Sequence, residues 1–144
     1  MKEEIIKILM RDGRIRLRSI DKEKIKSLII SSKSNAEVVF SILLNEKSST
    51  VIFREICESI RQLGDAIWWL NGYEPLDHDI SLEILKDLKI KNSVELNFLD
   101  RFRKIRNDAN YRGFKVTEFQ TKEIILFWNK CGIEILNFIK NKIN

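Results

Sequence analysis

The residues best equipped for chemistry cluster near the three-quarter point of the chain: Arg101, Arg103, Lys104, Arg106, Asn107, Asp108, Asn110, Tyr111, Arg112 and Gly113. On a helix, Arg103, Arg106 and Asn110 stand at i, i+3 and i+7 and share one face. That face adjoins an apolar stripe of Phe98, Leu99, Phe102, Ile105 and Ala109, so the polar heads need partners. Guanidinium and amide donors converging there, with Arg112 beside them, make an anion site, and phosphate suits the guanidinium fork. Gly113 is the expected helix stop. A break there would let Tyr111 swing toward Arg106, because residues five apart in an unbroken helix point about 140° apart.

Other polar residues are weaker candidates. His78, the only histidine, sits between Asp77 and Asp79. The DHD run could be a partial metal site or a source of an imidazole; the expectation is a turn histidine, solvated or packed on the end of the domain. Glu55, Glu58 and Asp65 could serve acid–base chemistry, but carboxylates so spaced more often hold arginines, with Arg61, Arg103 and Arg106 as the partners in view. Trp68 and Trp69 are expected to pack the domain end rather than stack bases.

Composition narrows the field. The chain has 144 residues, a net charge of +5, two Cys, one His and one Pro. One histidine excludes multi-His zinc sites and most His-based triads, and no C-x-x-C exists, so no metal or cofactor is expected. Cys57 and Cys131 read as buried reduced thiols. No apolar run reaches 18 residues and the N-terminus is too charged for a signal peptide, so a cytoplasmic protein without a membrane span is expected. Charge is uneven: residues 1–50 carry 11 basic and 7 acidic side chains, residues 51–100 carry 5 and 10, and residues 101–144 carry 10 and 4. The basic ends could neutralise the acidic middle within the fold or across a dimer, or leave a patch for an acidic partner.

The elements that must position these residues follow from periodicity. Residues 1–20 read as a lead-in whose Arg14, Arg16 and Arg18 alternate with Ile15 and Leu17, an extended arm or edge strand. A first long helix is predicted from its cap Asp21 to about Leu44, and a second from a cap at Ser48–Thr50 to about Asn71. Gly64 beside the second helix's stripe suggests a close helix approach. After the GYEPLDHD turn, Ile80–Leu88 reads as a short helix. A third long helix runs from Asn92, with Glu95 at the capping-box position, to about Tyr111. A fourth runs from the Thr117–Gln120 capping box to about Lys140. The run Ile124–Trp128 is apolar all round, so that helix is buried on two sides, by a second subunit or by the N-terminal segment. The expected fold is all-α: one domain over 1–144, an antiparallel four-helix bundle with a short extra helix between the second and third long helices.

The stretch RKIRNDANYRG, residues 103–113, resembles the signature of the HEPN superfamily, small helical bundles of prokaryotic toxin–antitoxin and antiviral systems. The signature is Arg, a polar residue, a spacer, then His. Arg106 and Asn107 match the first two positions, and Tyr111 stands where His would fall. The turn at Gly72, Tyr73, Pro75 and His78, and the opening GRIRLRSIDKEKIKSLIISSKSNAEVVFSIL, are similar to parts of small HEPN proteins. The resemblance implies a homodimer whose two motifs meet at a cleft. In active members it implies metal-independent RNA cleavage, with Arg106 holding the phosphate. Tyrosine ordinarily titrates near 10 and is a poor general base at neutral pH, so Tyr111 in the His position points to binding rather than efficient catalysis. The expected function is therefore RNA binding, or binding of a minimal nucleotidyltransferase partner that could modify Tyr111, through Arg103, Arg106, Asn107, Asn110, Tyr111 and Arg112. The alternatives are a metal-independent endoribonuclease toxin and a non-catalytic interaction scaffold.

Overall fold

Three side-chain caps start helices in the computed structural model, which describes residues 1–144. Asp21 accepts from the Lys24 N–H at 3.0 Å and opens α2 (Lys22–Phe40). Asp77 does the same for the Ile80 N–H at 3.0 Å and opens the short α4 (His78–Glu83). Thr117 and Gln120 form a reciprocal capping box at the start of α6 (Glu118–Phe127). Each cap satisfies backbone donors that a helix start leaves unpaired. The remaining helices are α1 (Glu3–Arg11), α3 (Ser49–Leu70), α5 (Leu99–Arg112) and α7 (Ile133–Ile143). The chain is mostly helical, and no helix is long and apolar enough to cross a membrane.

Helix α3 is the axis of the fold. It buries twelve of its 22 residues, among them Ile52, Phe53, Ile56, Ile60, Leu63 and Ile67. Helices α2, α4, α5, α6 and α7 all pack on it. The seam with α4 is the tightest. A Cβ added at Gly64 would lie 1.8 Å from the Ser81 carbonyl oxygen, so only glycine lets the two backbones meet. Next to it, Trp68 is fully buried and its Nε1 donates to the Ile80 carbonyl at 2.8 Å. The expectation that Trp68 packs rather than stacks bases holds; Trp69 is half-buried against the same core.

Of the two forms the lead-in could take, arm or edge strand, the strand is the one that forms. Residues Ile15–Leu17 form β1, antiparallel to β2 (Tyr73–Pro75), with Arg16 opposite Glu74. The arginines of the alternating run have partners across this ribbon: Arg14 Nε donates to Asp77 Oδ2 at 2.5 Å, and Arg16 Nη2 to Glu74 Oε1 at 2.6 Å. Only pairing with a segment 58 residues away reveals them as structural.

Several boundaries differ from the periodicity reading. Helix α2 stops at Phe40, four residues early; the Ser41 hydroxyl donates to the Val38 carbonyl at its end, and the Ser48 hydroxyl donates to the Leu43 carbonyl at 2.6 Å in the connecting loop rather than capping α3. The segment Ser93–Phe98 is a 3₁₀ turn. Its start is held by Glu134 of α7, which accepts from the Asn92 N–H at 3.0 Å, while Glu95 turns away to Lys130. Between α6 and α7 the helix widens into a π-turn over Trp128–Gly132. Within the Ile124–Trp128 run, Ile124, Phe127 and Trp128 are buried, Ile125 is half-buried and Leu126 is exposed. Helix α3 and the π-turn thus cover most of this run within one chain. Gly132 is obligatory there, since a Cβ would lie 2.6 Å from the Trp128 ring.

The α3–α4 seam yields a stability test. Gly64→Ala places a methyl group where the Ser81 carbonyl sits, so the backbones must separate and the core beneath them opens. Urea denaturation should show a loss of about 3 kcal/mol or more, at the upper end of overpacking costs.

Candidate functional site

Helix α5 carries its polar face past the middle of α3, and the start of α4 closes the third side. The result is a groove of about 530 Å³. Arg54, Glu55 and Glu58 line it from α3, Asp77, His78 and Asp79 from the α4 cap and first turn, and Arg106, Asn107, Asn110 and Tyr111 from α5. Four of the sequence-derived candidates therefore meet here, and they meet the only histidine. The anchors of α5 are Leu99 and Phe102, both buried, with Phe102 edge-on to Phe53 at a 6.0 Å centroid distance. Ile105 and Ala109 are only half-buried, which leaves the polar face open to the groove.

Arg106 is the deepest polar side chain of the groove, 12% exposed. Its Nη2 donates to Asn107 Oδ1 at 3.2 Å and lies 3.8 Å from Asp79 Oδ1. Its Nε is buried with no hydrogen-bond partner. The other two buried side-chain atoms lacking partners belong to Ser59 and Gln62, along the α2–α3 seam. A charged donor left unsatisfied in a low-dielectric site is costly, and a ligand oxygen is the natural remedy.

The carboxylates around Arg106 are mostly engaged elsewhere. Glu58 receives Arg61 Nε at 3.0 Å and Nη2 at 2.5 Å. These bonds, helped by His78 and Arg106 nearby, hold its pKa below the ordinary glutamate value despite burial. Asp65 takes Arg61 Nη1 at 2.5 Å and the Ser81 hydroxyl, yet burial dominates and pushes its pKa up. The expectation that Glu58 and Asp65 hold an arginine is met by Arg61; neither Arg103 nor Arg106 is their partner. Asp77 is tied to Arg14, so of the groove's four acids only Glu55 and Asp79 lack a close arginine bond. Beneath the groove, Cys57 is buried. Desolvation pushes its thiol up to about 12 although Arg106 favours the thiolate, so it is inert. Cys131 is also free and buried, its thiol up at about 11.

Arg103 and Arg112 do not line the groove. Arg103 lies 3.9 Å from both Asp79 and Asp100 at its edge. Arg112 reaches the other way and sits over the Phe114 ring, 5.4 Å from its centroid. Gly113 does stop α5, in the left-handed conformation, but one residue too late to swing Tyr111. Tyr111 stays on the helix, 82% exposed, and forms the groove's rim. Sequence reasoning missed Arg54. The one available signal was its i, i+4 spacing to Glu58 on α3, which becomes a groove wall only once α5 crosses there. No three His, Cys, Asp or Glu side chains are grouped to hold a metal ion. A second cavity, about 750 Å³, lies at the other end of α3 among Ile67, Trp68, Tyr73, Leu88 and Phe138. It is mainly apolar, with Lys22, Asn71 and Lys142 among its lining residues. No protein-family model, curated protein or solved structure matches the chain significantly.

The α4 cap that carries His78 depends on Asp77. Burial opposes its ionisation, but Arg14 and the Ile80 N–H outweigh that and lower its pKa below the ordinary aspartate value. A lowered folded-state pKa means stability that is present at neutral pH and lost as pH falls through that pKa. Asp77→Asn keeps a capping oxygen and removes the charge. It should cost about 1 kcal/mol at pH 7 by thermal melting, a figure discounted for the pair's exposure, and the difference from wild type should shrink as pH falls below the ordinary aspartate value.

Proposed function

We propose that this chain is a HEPN-like domain, built as an antiparallel four-helix bundle, that binds RNA by its phosphates in the α3–α4–α5 groove. One observation carries the reading: Arg106 is nearly buried at the groove, and its Nε has no partner. A small rotation of the guanidinium would give Nε and one Nη to two phosphate oxygens, the bidentate geometry for which arginine is suited. Arg54 on the α3 wall and Asn107 and Asn110 on the α5 wall supply further donors.

A second reading, RNA cleavage, is favoured by His78 and Glu55 lining the groove with Arg106. There the ribose 2′-hydroxyl would give its proton to Glu55 as its oxygen bonds to phosphorus. The P–O5′ bond would break, with His78 donating a proton to the departing oxygen. The products are a 2′,3′-cyclic phosphate and a free 5′-hydroxyl. This route needs no imidazole at position 111, where the sequence has Tyr111.

The proposal includes a homodimer. Phe119 and Leu126 stand seven residues apart on α6, on one face of that helix, and both are exposed. Light scattering at tens of micromolar should give twice the chain mass, and Leu126→Glu should return it to one. A wild-type monomer at that concentration removes the dimer from the proposal.

Fluorescence anisotropy with an end-labelled RNA 12-mer tests the groove. Arg106→Ala should weaken binding by about 10- to 100-fold, the worth of a charge-assisted hydrogen bond. The slope of log affinity against log salt should flatten by about 0.7, because the variant neutralises one phosphate fewer. Unchanged affinity in a folded variant overturns the reading. On the cleavage reading, wild-type protein and RNA held in EDTA and resolved on a gel should show cleavage that His78→Ala abolishes while binding persists. Intact RNA with wild-type protein leaves binding alone as the function.

A further inference from the structure

The cavity of about 750 Å³ at the other end of α3 shares no lining residue with the groove. Its volume falls in the range of about 300–1,000 Å³ usual for small-molecule sites. Core residues make its base. Ile67 and the fully buried Trp68 come from α3, Ile84 from the 3₁₀ turn after α4 (Ile84–Asp87), and Ile143 from the end of α7. Half-buried Leu88 and Phe138 continue the apolar wall outward. The edge has a different character. Lys22, the first residue of α2, and Lys142, in the last turn of α7, both line the cavity and are exposed. The Lys142 ammonium lies over the Phe138 ring, 5.6 Å from its centroid, which keeps the charge beside the apolar wall. The two acids that line the cavity already have cations: Asp87 lies 3.6 Å from the Met1 amino group, and Glu3 lies 3.8 Å from Lys7. Glu23, next to Lys22 in the chain, goes to Lys26 at 3.5 Å. Lys22 and Lys142 are left with no carboxylate of their own.

We infer that this cavity binds a single-chain amphiphile with an anionic head, an alkyl carboxylate, its chain against the apolar walls and its carboxylate toward Lys22 and Lys142. The lining selects this class of ligand. Apolar walls facing a cavity forfeit a gain of burial that an alkyl chain restores without needing any hydrogen-bond partner. A nucleotide or a polar cofactor instead needs an ordered set of donors and acceptors. Apart from the lysines and acids, the polar side chains here are Asn71 and Tyr73, and the Asn71 amide already donates to the Ile67 carbonyl at 2.7 Å. The charge at the edge then chooses the head group. An ammonium is a point charge without arginine's fork, so it asks for a negative group within reach rather than for a fixed bidentate geometry. A neutral head gains nothing from the two lysines, and a cationic head is repelled by them.

Isothermal titration calorimetry with octanoate, decanoate and dodecanoate, each below its micelle concentration, tests the site. One equivalent should bind, and affinity should rise about 4-fold for each added methylene. Dodecyltrimethylammonium, with the same chain and the opposite charge, should bind more weakly than dodecanoate by about 10-fold or more. The double variant Lys22→Met, Lys142→Met keeps the apolar stems and removes the charges. It should lose about 2- to 30-fold in affinity for dodecanoate, the worth of two exposed ion pairs, and bind dodecanol as wild type does. Leu88→Trp fills the cavity from a half-buried wall position and should abolish binding. Dodecanoate should raise the melting temperature of the wild type and leave that of Leu88→Trp unmoved. The lysine variant is altered only at exposed positions, so it keeps its fold and decides the question of charge even where Leu88→Trp does not fold. No binding, affinity independent of chain length, equal affinity for the anionic and cationic heads, or wild-type binding by a folded Leu88→Trp each overturns the inference.

Discussion

The arrangement rests on one close approach. Gly64 of α3 lets the Ser81 carbonyl of α4 lie where any other residue would place a side chain. Contact at that distance fixes α4 against α3 with almost no freedom. The polar groups trapped by it must then be satisfied locally. Trp68 Nε1 takes the Ile80 carbonyl, and the Ser81 hydroxyl goes to Asp65, which in turn faces Arg61. The α4 cap, with His78 and Asp79, projects from this fixed point toward α5. Arg14 reaches Asp77 from the lead-in ribbon and holds the cap from the other side. A shift of α4 by the width of one methyl group would detach the third wall of the groove. Helix α3 can serve as a datum for the site because it is the element on which nearly every other helix is packed.

Electrostatics within the groove follow from how the arginines are shared out. Arg14 and Arg61 each bind a carboxylate closely and lie outside the groove's lining, so Asp77 and Glu58 present little free charge to a ligand. Arg103 and Arg106 share Asp79 at 3.9 and 3.8 Å, too long for strong hydrogen bonds. Arg106 is therefore buried like a structural arginine but bonded like an unfinished one. A structural arginine at this depth would have its donors filled, because a buried unsatisfied donor on a charged group costs more than the bond would have gained.

Much of this was legible in the sequence where the cause is local. Asp21, the Thr117–Gln120 box and Gly113 mark helix ends through chemistry confined to one turn, and all three stand where their residue types place them. Gly64 was readable as a close approach because glycine in a helix interior has few other reasons to be there. What escaped is non-local. Arg14, Arg16 and Arg18 look like a basic arm until Glu74 and Asp77 are brought beside them. Asn92 followed by Glu95 has the spacing of a helix start, but Glu134 from α7 takes the Asn92 donors, and a 3₁₀ turn results. Ser48 looks like a cap and instead ties its own loop. The site divides in the same way. Arg106, Asn107, Asn110 and Tyr111 are neighbours on one helix and were found together. Arg54 and His78 join them only because α3 and α4 converge there.

The Ile124–Trp128 run shows how a correct local observation can support two conclusions. Five apolar residues circle a regular helix, so a regular helix would need cover on two sides. The π-turn at Trp128–Gly132 changes the premise, because inserting one residue into a turn rotates everything beyond it relative to what precedes. Trp128 and Cys131 are then buried together with Ile124 and Phe127, and Gly132 leaves room for the Trp128 ring that the wider turn brings inward. Of the five residues only Leu126 is exposed, and it stands seven residues beyond the exposed Phe119 on α6. The case for a second subunit therefore passes from the apolar run to this narrower stripe. That stripe, Phe119 and Leu126, is confined to α6, whereas the run it replaces was largely a feature of the chain's own core.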